Sequence, residues 1–165
     1  KSVYGDTADQ VAAQPGYSEF HTGYAVSFDR YTKNGTVMEL TSAAEWQWLP
    51  RNCARFGFIL RYPEGKSDLT GFATQPYHYR YVGKPHAYLM NLKQYCLEEY
   101  LEYLSHYTFG GSHVQVTDNE NNRYEIYYVP ASGMDTTEVP VPIENTYTIS
   151  GDNQGGFIVT VLLKG

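Results

Sequence analysis

Cysteine is scarce in this 165-residue chain, and the two present, Cys53 and Cys96, cannot build the multi-bridge framework on which very small secreted domains depend. Both fall in helical patterns, where they could pair or remain two reduced, buried thiols. Cations are few as well. Only 12 Lys and Arg stand against 18 Asp and Glu, giving a net charge of −6 and a pI near 5.3. Phosphate backbones and anionic membrane surfaces need clustered positive charge, so neither nucleic acid nor such a surface is an expected partner. No apolar run reaches the roughly 18 residues that cross a bilayer, so no membrane span is expected. The chain also lacks internal repeats, low-complexity tracts, a CxxC pair, a Gly-rich phosphate loop and any Ser-His-Asp or Cys-His nucleophile arrangement. It starts at Lys1 without a methionine, as a mature or trimmed chain does, and a secretion leader could have been removed.

What is present suffices for a core. Hydrophobic residues make up 42% of the chain and charged ones 18%, enough for one globular unit. Seventeen tyrosines offer apolar area with a hydroxyl; sheet surfaces and core margins are their ordinary place, wet polar clefts their functional one. Tyr24 to Asp29 alternates large and small or polar residues, a strand pattern that puts Ser27 and Asp29 on one face. Ser42 and Glu45 form a capping box before Trp46, Trp48 and Leu49. Pro50 should kink or divide that helix, and Gly57 should close it before the strand Phe58 to Leu60. Arg61 to Lys66 reads as a turn, and Pro76 to Val82 as extended. Pro85 to Tyr107 reads as helical, with Leu89, Leu92, Cys96, Tyr100 and Leu104 on one stripe and a break near Tyr95. Strands are predicted at Val114 to Thr117, Arg123 to Val129, Thr146 to Ile149 and Phe157 to Leu163, joined by polar turns at Asn119 to Asn122 and Gly151 to Gly155 and by a long surface connection from Pro130 to Pro142. The expected class is α+β: a central antiparallel sheet with packed helices, over residues 1–110, and a strand-rich extension, 111–165, in the same globular unit.

Three stretches carry a resemblance. They are Ser18-Glu-Phe-His-Thr-Gly-Tyr-Ala-Val-Ser27, Gly57-Phe-Ile-Leu-Arg-Tyr-Pro-Glu-Gly-Lys66 and Thr70-Gly-Phe-Ala-Thr-Gln-Pro-Tyr-His-Tyr-Arg-Tyr-Val-Gly83, followed by Leu97-Glu-Glu-Tyr-Leu101 and, more weakly, by Ser150-Gly-Asp-Asn and Gly156-Phe-Ile-Val-Thr-Val161. Together they resemble the VanY-like zinc D-alanyl-D-alanine carboxypeptidases, which trim the terminal D-alanine from peptidoglycan stem peptides. The resemblance implies a metal site carried by the central sheet, a peptidoglycan stem peptide as partner, and a secreted or cell-surface location. It also implies an upstream substrate-holding segment, Ser-x-Tyr-Arg-Ser-like, that has no counterpart after Lys1.

Zinc peptidases need three protein ligands, an open position for water, and a carboxylate that takes the water's proton. The resemblance places these in Ser-x-His-x-x-Gly-x-Ala-x-Asp, which gives two ligands, and in Glu-x-x-His, which gives the base and the third. Aligned on Ser18, Gly23 and Ala25, this chain has Phe20 and Ser27 at the first two ligand positions. Aligned on Pro76, Arg80 and Gly83, it has Gln75 at the base and keeps only His78. A phenyl ring has no lone pair, a neutral hydroxyl is not a usual zinc ligand, and an amide does not take a proton at neutral pH. The expectation is a degenerate member with no catalytic set, no bound zinc, and a cleft that still holds a cell-wall peptide or a protein partner. Ser18, His21, Asp29, Arg61, Gln75, His78 and Arg80 are the candidate cleft residues. Arg61 and Arg80 could grip a carboxylate in bidentate fashion or serve structural ion pairs. One alternative is an active zinc enzyme with relocated ligands, His21 and Asp29 joining His78. A one-residue slip in extended chain, however, tends to turn His21 to the other face. A second alternative is a structural module of a larger surface protein, whose signature would be a cleft filled by Phe20 and neighbouring tyrosines. His86, His106 and His113 show no ligand spacing.

Overall fold

The structure, a computed structural model, describes residues 13–31, 33–35, 37–38 and 44–164. The capping box expected from Ser42 and Glu45 falls outside the described residues and side chains. Contacts group the chain into two units, Lys1–Glu98 and Glu99–Gly165.

In the first unit a three-stranded antiparallel sheet has the order β1 (Ala25–Ser27), β5 (Gln75–Tyr81), β4 (Phe58–Tyr62). A ribbon of β2 (Arg30–Tyr31) and β3 (Val37–Met38) stands apart from it. The first strand is shorter than its alternating pattern suggests, and Asp29 lies beyond it, exposed. β4 is longer than expected: Arg61 and Tyr62 belong to the strand, and the turn begins at Pro63. Helix α1 (Ala44–Asn52) runs through Pro50 and gives way to a 3-10 turn, Cys53–Phe56, only after Asn52. Gly57 then ends the helical stretch at φ 84°, as expected, and a side chain there would strike the Tyr81 ring. A short helix, α2 (Ser67–Thr70), follows β4.

The long helical region divides into α3 (Lys84–Lys93) and α4 (Leu97–Ser105), with Gln94 in the left-handed conformation at the break. α3 buries Pro85, Ala87, Leu89 and Met90 and packs on the 3-10 turn and on β4. Leu92, expected on the buried stripe, is exposed, because Met90 rather than Leu92 shares the inner face with Leu89. Cys53 and Cys96 are both buried and unbridged.

The second unit is built on a four-stranded antiparallel sheet, β6 (Val114–Thr117), β7 (Arg123–Pro130), β9 (Gly156–Leu163) and β8 (Thr146–Gly151), in that spatial order. On one face Tyr127, Val129, Val159 and Val161 form a core cluster. The connection from Pro130 to Pro142 closes over it: Val139 and Val141 pack there, and the Tyr127 hydroxyl donates to the Pro140 carbonyl at 2.6 Å. Both hairpin turns are tied by an aspartate. Asp118 Oδ1 accepts from the N–H groups of Glu120 and Asn122, and Asp152 Oδ1 from those of Gln154, Gly155 and Gly156. Asp152 Oδ2 accepts from the Tyr128 hydroxyl at 3.0 Å, and the Tyr128 ring lies where a side chain at Gly156 would be.

Candidate functional site

The loop that opens the first motif folds as a 3-10 turn, Glu19–Thr22, capped by the Ser18 hydroxyl, which accepts from Phe20 N at 3.4 Å, and closed by Gly23 at φ 74°. This turn presents Glu19 and Phe20 to β5. On β5, between the pairs Leu60↔Tyr79 and Tyr62↔Gln75, the register with β4 shifts, with Pro76 in the irregular stretch. The shift breaks strict alternation and lets Gln75 reach His78, its amide 3.2 Å from Nδ1. Ser27 pairs directly with His78 across β1 and β5. The Phe20 ring stacks on the His78 ring, with centroids 4.6 Å apart. The four positions aligned with the metal machinery therefore do converge in space.

Around His78 the chemistry is ionic. Its side chain is 6% exposed, and Nε2 lies 2.6 Å from Glu19 Oε1. An ionised carboxylate only accepts, so Nε2 carries the proton and donates it. The Gln75 amide can face Nδ1 with either its oxygen or its NH₂ and so tolerates this tautomer, whereas a carboxylate offers acceptors alone. Arg80 Nη1 donates to Glu19 Oε2 at 2.8 Å, and Arg61 Nε to the same oxygen at 3.4 Å. Arg61 also grips Glu98 in bidentate fashion, at 2.6 and 3.2 Å. Burial pushes the Glu19 carboxyl upward, but the His78 hydrogen bond and the Arg61 and Arg80 guanidiniums outweigh it and hold the group below its ordinary value. Arg80 Nε is buried with no acceptor among the described residues. Behind His78, Tyr62 meets the imidazole edge-on at 4.9 Å and stacks on Phe72 at 4.7 Å, so Phe20, His78, Tyr62 and Phe72 form a continuous aromatic cluster.

Of the candidate cleft residues, Arg61, Gln75, His78 and Arg80 are thus brought together, and Ser18 caps the turn beside them. His21 and Asp29 are exposed, and they make no metal-holding group with His78. Glu19 and Glu98 were not singled out from the sequence. Glu19 occupies an unspecified position of its motif, and its partners lie 42, 59 and 61 residues away. Elsewhere His113 contacts Glu125 and His106 contacts Glu102, ordinary side-chain pairings.

The family model for VanY-type D-alanyl-D-alanine carboxypeptidases matches residues 4–84. A D-alanyl-D-alanine carboxypeptidase of Enterococcus faecium is 37% identical over 96% of this chain. This chain is VanY-like. It spans 48% of that relative's length. Among solved structures, the vancomycin-resistance D,D-dipeptidase VanXYg, in complex with a D-Ala-D-Ala phosphinate analogue, superimposes with a TM-score of 0.81 at 27% identity; it covers 98% of this chain and is itself covered over 68%. The LD-carboxypeptidase LdcB, whose structure addresses peptidoglycan recognition, gives a TM-score of 0.52 at 37% identity over 58% of this chain and 45% of its own. The VanXYg match extends over both units of this VanY-like chain, which bears out the α+β class.

The family is zinc-dependent. The residues of this VanY-like chain do not fit the ion. Beside His78 stand the Phe20 phenyl ring and, across the strand pair, the Ser27 hydroxyl, neither a usual zinc ligand, and His78 itself has its Nε2 committed to Glu19. Among the described residues no three of His, Cys, Asp and Glu stand where they could hold a metal.

Proposed function

We propose that this VanY-like chain does not hydrolyse peptides, and that its cleft instead holds a peptidoglycan stem peptide or a protein partner at a cell surface. The observation that carries this reading is the 2.6 Å contact between Glu19 Oε1 and His78 Nε2. A nitrogen that donates a proton to a carboxylate has no lone pair for a cation, and among the described residues His78 and Glu19 belong to no set of three groups that could hold one. Without zinc no water is activated at neutral pH and no Lewis acid polarises the scissile carbonyl. Gln75 removes the proton acceptor as well, a loss that alone costs about 10²–10⁴-fold. A peptide ligand is supported by the relatives: VanXYg binds a D-Ala-D-Ala analogue, and LdcB recognises peptidoglycan.

The test has two arms. Protein equilibrated with equimolar Zn²⁺ and desalted should retain far less than one ion per chain by elemental analysis, and should release no D-alanine from peptides ending in D-Ala-D-Ala. Stoichiometric zinc lost in His78→Ala, or turnover abolished by a chelator and restored by zinc, would overturn the reading. Titration of the same peptides, followed by NMR shifts of the residues around His78, tests the binding half. A second reading, a purely structural module, is favoured by the packing of Phe20 on His78, whose ring Tyr62 also meets edge-on, so that ring carbon fills the old metal position. Absence of any peptide-induced shift would select it.

A further inference from the structure

The strand β8 forms one edge of the second unit's sheet, and its six residues, Thr146 to Gly151, are all exposed. Open edges in natural proteins are blunted by charge, proline, bulges or brevity, because a row of unpaired N–H and C=O groups recruits another strand. This edge has none of these protections. It is six residues long, pairs with β9 in unbroken register, and holds Thr-Tyr-Thr-Ile-Ser-Gly with no charge and no proline. Among the described residues no strand lies beyond it. Tyr147 and Ile149 share the sheet face of Val159 and Val161, yet each stays more than 40% exposed.

We propose that β8 is a self-association edge, at which two copies of this chain pair antiparallel about a two-fold axis through Thr148. The sequence of the strand is complementary to itself under that operation. Thr148 then faces Thr148 of the second copy, Tyr147 of each faces Ile149 of the other, and Thr146 faces Ser150. Aromatic against β-branched and hydroxyl against hydroxyl are the cross-strand pairs that stabilise antiparallel sheets. Charge argues the same way: in a chain of net charge −6, two copies repel least where a long edge carries no acidic residue. The result is one continuous eight-stranded sheet, four strands from each copy, with an isologous interface. Edge pairing buries little surface compared with an obligate dimer, so the association should depend on concentration.

The two-fold axis makes the test specific. Directly opposed residues in an antiparallel pair have Cα atoms about 4.5–5.5 Å apart, within the disulfide range. Thr148→Cys should therefore give a covalent dimer on mild oxidation, while Cys53 and Cys96, being buried, should not. Thr117→Cys, on the opposite edge strand β6, should stay monomeric. Sedimentation across a concentration series should show a monomer–dimer equilibrium in the parent that Thr148→Lys abolishes, with circular dichroism unchanged because the side chain is exposed. A parent that stays monomeric throughout, a dimer that survives Thr148→Lys, or cross-linking at 117 in preference to 148 would each overturn the proposal.

Discussion

Glu19 is the residue on which the cluster around His78 turns. His78, Arg80 and Arg61 converge on one carboxylate, so three donors that could have addressed a ligand are occupied from within. Since the folded group sits below its ordinary value of 4.5, its contribution is fully present above that pH and is lost as the pH falls through the lower, folded value. Glu19→Gln should lower stability near neutral pH by about 1–3 kcal/mol, because Arg80 loses the charged partner it has among the described residues while Arg61 keeps Glu98. The parent's extra loss of stability below about pH 4.5, relative to the variant, is the Glu19 share. Urea denaturation of both proteins across that range reads it directly, and parallel curves would show that the pairing contributes nothing. The positions of Phe20, Ser27, Gln75 and His78 were legible in the sequence, because each stands in a spaced motif. Glu19 was not, since its role depends on partners that only the tertiary fold brings near.

At the scale of elements, alternation and turn chemistry carried the reading furthest. All four strands of the second unit were legible, to within two residues at each end, because alternating β-branched and aromatic residues end there in polar turns. The first unit was harder. Its β1 is three residues long, the burial of Ala25 rather than Tyr24 or Phe28 reverses what size alone suggests, and the irregularity in β5 leaves no periodic signature. Nor did Pro50 stop its helix at once; the missing N–H is tolerated for two further residues. The hairpin turn at Asp152 offers a check on how strongly local chemistry fixes an element. Asp152→Ala removes the acceptor of three backbone N–H groups and of the Tyr128 hydroxyl, and should cost about 1–3 kcal/mol in thermal or urea unfolding, with Asp152→Asn costing less.

For the whole molecule, the proposed separation of a VanY-like scaffold from zinc chemistry can be tested by reversing it. Phe20→His with Ser27→Asp should restore three ligands around the position that His78 faces, and zinc at 100 times its dissociation constant should then stabilise the fold by about 2.7 kcal/mol. The ion must first displace Glu19 from Nε2, so the response should sharpen when Glu19→Gln is added. Calorimetry with zinc and with a chelator should show a shift in these variants and none in the parent. A well-folded double variant indifferent to zinc, with and without Glu19→Gln, would mean that the first motif is aligned in the wrong register.

The packing of Tyr128 over Gly156 has a consequence for how this sequence can change over time. No side chain fits at 156 while the ring is there, and the ring is held by its hydroxyl on Asp152. Three positions on two strands and a turn are therefore locked in an order of replacement. Tyr128 must shrink before Gly156 can grow, so Gly156→Ala should be damaging alone and mild beside Tyr128→Ser. The tolerance of one site is set by the history of another.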